Sequence, residues 1–173
     1  DIQSRKRFHY KRLIQSGNIK VRDGVIRLIE ELENFNVEQF IVTTSGRDSV
    51  EAILHTSLKS HCKFFSRIIS YEDVKKHKPY PDAYKLAVKL SNTPNSNCMA
   101  IEDSVIGVDA AIAANINCLL TLSPWNSNPQ KISKKANACV DSLGNGNNKS
   151  NLIYGKPLIS NHVDFTYLTK ILN

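Results

Sequence analysis

Residues 40–46 read Phe40-Ile41-Val42-Thr43-Thr44-Ser45-Gly46. An apolar, β-branched run that stops at a small hydroxyl residue and a glycine is the pattern of a buried strand giving way to a loop. On its N-terminal side Val25, Leu28, Leu32 and Phe35 recur at helical spacing. On its C-terminal side Val50, Ile53 and Leu54 form the inward positions of a second helix over residues 49–58, with Asp48 near its start. The alternation continues. Ile68-Ile69 reads as a short strand, and residues 71–80 as a polar, lysine-rich connection. Ala83, Leu86, Ala87 and Leu90 then form the stripe of a helix whose first turn holds Pro81 and Asp82, where a missing N–H is harmless and a carboxylate favours the helix dipole. Cys98-Met99-Ala100-Ile101 is the next strand, followed at once by Glu102 and Asp103. A helix over about 104–114 closes at Asn115, and a strand runs from Cys118 to Leu122. The order α, β, α, β, α, β, α, β predicts a parallel sheet with helices on both faces, whose ligands bind at the carboxyl ends of the strands.

Composition narrows the class. The chain has 173 residues, 41% hydrophobic and 23% charged, which suits one globular domain. No apolar run approaches the roughly 20 residues of a membrane helix, so no membrane partner is expected. The net charge of +7 is unevenly placed: residues 1–22 hold seven Lys and Arg against Asp1 alone, and the remaining body is nearly neutral. A nucleic-acid binder using residues 1–22 would show steeply salt-dependent affinity; with a neutral body, no nucleic-acid partner is expected. Cys62, Cys98, Cys118 and Cys139 lack ligand spacing and read as reduced, partly buried thiols of a cytosol-like compartment. Gly144-Asn145-Gly146-Asn147-Asn148 follows no convincing strand and opens no helix, so it reads as a flexible surface loop rather than a phosphate loop. The chain opens on Asp1 with no signal core, and the first residue is expected not to be the start of the gene product.

Three features fall at carboxyl ends of strands. Thr43, with Thr44, Ser45 and Gly46 after it, offers a hydroxyl and successive backbone N–H groups to a phosphate oxygen, although a strand-ending Thr is also an ordinary β-former. Lys78 stands in Lys78-Pro79-Tyr80-Pro81-Asp82, where the prolines stiffen the segment and aim its ammonium; beside Lys75, Lys76 and His77 it could equally belong to a solvated face. Glu102-Asp103 would hold Mg²⁺ together with a substrate phosphate, or Asp103 or Ser104 would simply cap the following helix.

Taken in order, Ile41-Val42-Thr43-Thr44-Ser45, Lys78-Pro79-Tyr80-Pro81-Asp82 and Ile101-Glu102-Asp103-Ser104-Val105-Ile106-Gly107 resemble the second, third and fourth motifs of the haloacid dehalogenase-like phosphatase superfamily. The branch is that of β-phosphoglucomutase, phosphoglycolate phosphatase and the CbbY-like sugar-phosphate phosphatases. The resemblance covers about residues 1–140 and implies a Rossmann-like α/β core acting on a small phosphorylated metabolite through an aspartyl-phosphate. It gives Thr43 and Lys78 to the transferring phosphoryl group, Thr44, Ser45 and Arg47 to substrate binding, and Glu102 and Asp103 to Mg²⁺. A sugar phosphomutase shares every one of these motifs. A non-catalytic remnant or receiver-like phosphate-binding module is the alternative of another class, though a receiver needs an early strand-ending Asp that does not precede Thr43. The family's first motif, Asp-x-Asp-Gly-Thr on a central strand, has no counterpart: at Asp23-Gly24 the residue two positions earlier is Val21 rather than Asp, the next is Val25 rather than Thr, and no strand precedes them. By resemblance, residues 1–22 are the end of a helical cap and 23–173 a partial core, lacking the nucleophile-bearing strand and most of the cap. The chain alone is therefore expected to be inactive and poorly folded, and the whole protein a monomer in the cytoplasm or plastid stroma.

Overall fold

The computed structural model describes residues 19–123 and 134–172. The helix expected over residues 1–22 therefore falls outside the described residues, apart from 19–22, which carry no regular structure. Beyond it the expected alternation is observed: α1 (Val25–Asn34), β1 (Gln39–Val42), α2 (Arg47–Ile53), β2 (Phe65–Ile69), α3 (Asp82–Ser91), β3 (Met99–Glu102), α4 (Val105–Ala113) and β4 (Asn117–Thr121). Three further elements, β5 (Ala138–Val140), β6 (Leu152–Tyr154) and α5 (Phe165–Leu172), occupy the stretch where sequence patterning alone reveals little.

The helix boundaries have local causes. Gly24 opens α1 at φ 82°, and a Cβ there would lie 2.2 Å from the Gly144 carbonyl oxygen, so only glycine fits. Asn92 and Asn115 close α3 and α4 in the left-handed region, at φ 53° and 56°. Ser104 caps α4, its side chain accepting from the Gly107 N–H at 3.2 Å. The helix expected over 49–58 begins earlier, at Arg47, because the Glu72 carboxylate accepts the Arg47 N–H at 3.1 Å; it then loosens into a π turn over Leu54–Leu58 and a 3-10 stretch over Lys59–Phe64. The expected stripe of α3 is rotated. Ala83 and Tyr84 are its buried residues and Leu90 is exposed, since the Tyr84 hydroxyl finds a buried acceptor in Glu102. The loop at Gly144–Asn148 is a hydrogen-bonded turn, with Asn145 Oδ1 accepting the N–H groups of Asn147 and Asn148, and Asn148 reaching Asp23.

β4 shows how the layers are built. Cys118 and Leu120 pack with Tyr84, Val108 and Ala111 on the side of α3 and α4, whereas Leu119 packs with Leu28, Val140 and Tyr167 on the side of α1 and α5. Strand periodicity of two thus feeds two cores from one strand. All four thiols are free, and burial pushes the Cys118 thiol up to about 12 and the Cys139 thiol up to about 11.

The strands form two sheets. β1 pairs with β2 in parallel, and β3, β4 and β5 pair in parallel with β6 antiparallel on the far edge. Among the described residues no strand joins β1 to β3. Between them lies an apolar slot of about 600 Å³, walled by Leu28 and Ile29 of α1, Phe40 of β1, Tyr84 and Val88 of α3 and Ala100 of β3.

The connection after β2 is locked before it reaches Lys78. Ser70 and Asp73 form a capping box, with Asp73 Oδ2 accepting from the Ser70 N–H at 2.7 Å and from its hydroxyl at 2.8 Å, while Arg47 Nη2 donates to the same oxygen at 2.7 Å. The Ser70 N–H and hydroxyl, and then Arg47, hold the Asp73 carboxyl below its ordinary value. A depressed folded pKa contributes stability that is present above the unfolded value and lost as pH falls through the folded one. Asp73→Asn is expected to cost about 1 kcal/mol at neutral pH and to flatten the acid limb of stability. Urea midpoints of the whole protein at pH 7 and pH 3 check this; an unchanged pH dependence in the variant would rule the box out as its source.

Candidate active site

Five of the expected residues meet at the carboxyl ends of β1 and β3. Thr43 and Thr44 follow β1, Glu102 ends β3 and Asp103 follows it; with Lys78 from the β2–α3 connection they line a cavity of about 280 Å³. The ladder holds Thr43 in place, its N–H donating to Ile69 O at 2.9 Å. Its Oγ1 accepts the Ser45 N–H at 3.1 Å, which uses that N–H locally and keeps the hydroxyl hydrogen for donation. Ser45 and Arg47 are not brought into the lining. The Arg47 guanidinium turns away to Asp73 and to Ile68 O at 3.1 Å.

Lys78 has the least room to move. Its side chain and that of Glu102 are each 7% exposed, and they form an ion pair through Nζ and Oε1. The same ammonium donates to Val42 O at 2.9 Å and lies 3.5 Å from the Tyr84 hydroxyl, so its three N–H groups face three oxygens. The Lys78-Pro79 peptide is cis. Tyr84 donates to Glu102 Oε1, and burial first, then the adjacent Glu102 charge, pushes its phenol far above the ordinary value, so it remains a donor. Glu102 Oε2 packs against Gly107, where even a Cβ would approach to 1.9 Å. Asp103, by contrast, is exposed at the cavity.

Sequence reasoning missed three groups at this site. Thr121, the last residue of β4, lines the cavity and accepts from Arg22 Nη1 at 3.0 Å. Arg22 also donates to the carbonyls of Leu122 and Asp141, pinning the entry to α1 against the ends of β4 and β5. The rule that strand ends carry the site would have picked out Thr121. Tyr84 had no such signal, because it lies off the apolar stripe expected for its helix and only the buried Glu102 carboxylate turns it inward.

The family model of the haloacid dehalogenase-like hydrolases matches residues 1–121. The chain belongs to this family. Within it, a haloacid dehalogenase-like hydrolase domain-containing protein of Arabidopsis thaliana is 30% identical over 127 residues, 73% of this chain and 40% of that protein. Protein CbbY of Rhodobacter capsulatus is 31% identical over 126 residues, 72% of this chain and 56% of that protein. Among solved structures, a mutant CbbY from Rhodobacter sphaeroides in complex with xylulose-(1,5)bisphosphate superposes with a TM-score of 0.69 at 27% identity, over 76% of this chain and 58% of that chain. The chain thus spans roughly half the length of these haloacid dehalogenase-like relatives.

Proposed function

We propose that the whole protein is a Mg²⁺-dependent phosphatase of a small sugar phosphate or related metabolite. The convergence of Thr43, Lys78, Glu102 and Asp103 on one cavity carries the reading, because these groups suit a phosphoryl group arriving between two strand ends. The CbbY relatives and the bisphosphate bound by one of them support the substrate class. A carboxylate nucleophile forms an aspartyl-phosphate as the P–O bond to the sugar breaks; the sugar oxygen leaves with a proton as an alcohol, and water then releases phosphate. That nucleophile arrives on an apolar strand in the slot between β1 and β3, a strand whose Asp-x-Asp-Gly-Thr signature does not occur in residues 1–173. Thr43 donates its hydroxyl to a phosphoryl oxygen, and Lys78 offsets the charge that builds on the equatorial oxygens. Two carboxylates at an open cavity are the oxygen donors a hard cation takes. Asp103 would meet Mg²⁺ directly and Glu102 would share its carboxylate with Lys78, the ion supplying charge that lets two anions approach. A monomer in a soluble compartment, cytosol or plastid stroma, belongs to the same reading.

Phosphate release by the full-length protein from a panel of sugar mono- and bisphosphates tests it. Turnover is expected with Mg²⁺, lost on chelation, and reduced at least about 100-fold in Asp103→Ala. The 173-residue chain alone is expected to release none and to lack a cooperative melt by circular dichroism. Chelator-resistant turnover, or full activity in Asp103→Ala, would sink the assignment.

A further inference from the structure

Lys78 does more than point into a cavity. Its ammonium reaches Val42 O, at the end of one sheet, and Glu102 Oε1, at the end of the other. One side chain therefore bridges two sheets that share no strand ladder among the described residues, and a shift of either sheet would move the ammonium off its acceptors. What fixes it laterally comes from neither sheet. Tyr84, on α3, is 6% exposed and touches both members of the pair: its hydroxyl donates to Glu102 Oε1, lies 3.5 Å from Lys78 Nζ, and its ring centroid is 4.8 Å from the same nitrogen. The ring is also part of the slot wall, so its packing and its hydroxyl serve different neighbours.

We propose that Tyr84 is a positioning residue whose hydroxyl sets where the Lys78 ammonium and the Glu102 carboxylate stand. The donor inventory leads there. An ammonium offers three hydrogens along three directions, and in this site they face the Val42 carbonyl, the Glu102 carboxylate and the Tyr84 oxygen. Without the third, the ammonium can swing about the line joining the first two. Glu102 Oε1 likewise has two donors, Lys78 and Tyr84, and with one removed its carboxylate can turn as far as Gly107 permits. Tyr84 touches no reacting atom; it acts through the pair, at a distance at which small misplacement of a phosphoryl-stabilising group already costs rate.

This role rests on the phosphoryl-transfer reading above, and the test separates the two. In the full-length protein Tyr84→Phe keeps the ring in the slot wall and removes only the hydroxyl. It is expected to lower kcat at least about tenfold with KM within about twofold, the split of a group that acts on the transition state and not on substrate capture. Nitrogen-15 spectra of lysine-labelled protein supply a readout independent of turnover: the Lys78 ammonium signal is expected to move or broaden in Tyr84→Phe. Val88→Ala, one helical turn beyond Tyr84 in the same slot wall and without a hydroxyl to lose, is the packing control, expected to lower the melting temperature and leave kcat unchanged. An unmoved ammonium signal with kcat within twofold of wild type overturns the proposal. So does a kcat loss in Tyr84→Phe matched by Val88→Ala at equal loss of melting temperature, which would make the tyrosine packing alone. If the wild-type protein turns over no phosphate ester, the functional reading fails, and the ammonium signal alone decides whether Tyr84 sets the pair.

Discussion

Lys78→Ala in the full-length protein is expected to lower kcat for phosphate release by about 10²–10³-fold, the usual cost of losing one preorganised donor to a developing charge. A second effect is expected in the same variant. Both members of the Lys78–Glu102 pair are almost wholly buried, so removing the cation leaves a carboxylate inside the protein that keeps the hydrogen bonds from Tyr84 and Ser104 but loses its charge partner. Breaking one side of such a pair costs about 3–5 kcal/mol, read as a lower urea midpoint. The two effects can be separated. Replacing both partners by apolar residues, Lys78→Met with Glu102→Leu, should restore most of the stability and none of the activity. Native turnover in Lys78→Ala would mean that the ammonium does not serve the reaction, and native stability would mean that the pair is not buried as described.

Gly107→Ala is expected to destabilise although it lies inside α4, where alanine is favoured over glycine by about 1 kcal/mol. The reason is one contact. A Cβ at residue 107 would stand 1.9 Å from Glu102 Oε2 and 2.1 Å from its Cδ, and the carboxylate cannot step aside while Lys78 and Tyr84 hold the other oxygen. Overpacking together with disturbance of the buried pair gives a net loss of about 2–4 kcal/mol, with activity falling alongside. Gly146→Ala is the control, since nothing lies within 4 Å of a Cβ there and its effect should stay within about 0.5 kcal/mol. A stabilised Gly107→Ala protein would show that helix propensity outweighs the contact.

The alternation of elements was legible because the strands of residues 24–122 are short runs with apolar centres, while α3 and α4 carry their own closing residues, Asn92 and Asn115. Register and facing were less so. Nothing in Ala83-Tyr84-Lys85-Leu86 says that the tyrosine turns inward and Leu90 outward; that is decided by a carboxylate 18 residues away. β5 escaped notice because three residues, Ala138-Cys139-Val140, are too few for periodicity to show, although all three are buried. At the site, Thr43, Thr44, Lys78, Glu102 and Asp103 were readable from their places after strands. Arg47 stands just beyond the second motif, a place that suits a substrate contact or ordinary surface charge, and its guanidinium is drawn to Asp73, a partner that only the folded β2–α3 connection brings near.

Among the described residues the edges of β1 and β3 that face the slot pair with no strand, which bears on how the chain behaves in solution. An unpaired strand edge takes up any strand of suitable polarity that meets it, including one from another copy of the same chain. The slot offers two such edges together with apolar walls, so intermolecular pairing there rises with concentration while folding within one molecule does not. A net charge of +7 gives little protection, because most of it belongs to residues 1–22 and the body around the slot is close to neutral. Dilution and low temperature during expression, more than added salt or a shifted pH, are therefore the conditions that favour recovering this chain as a monomer.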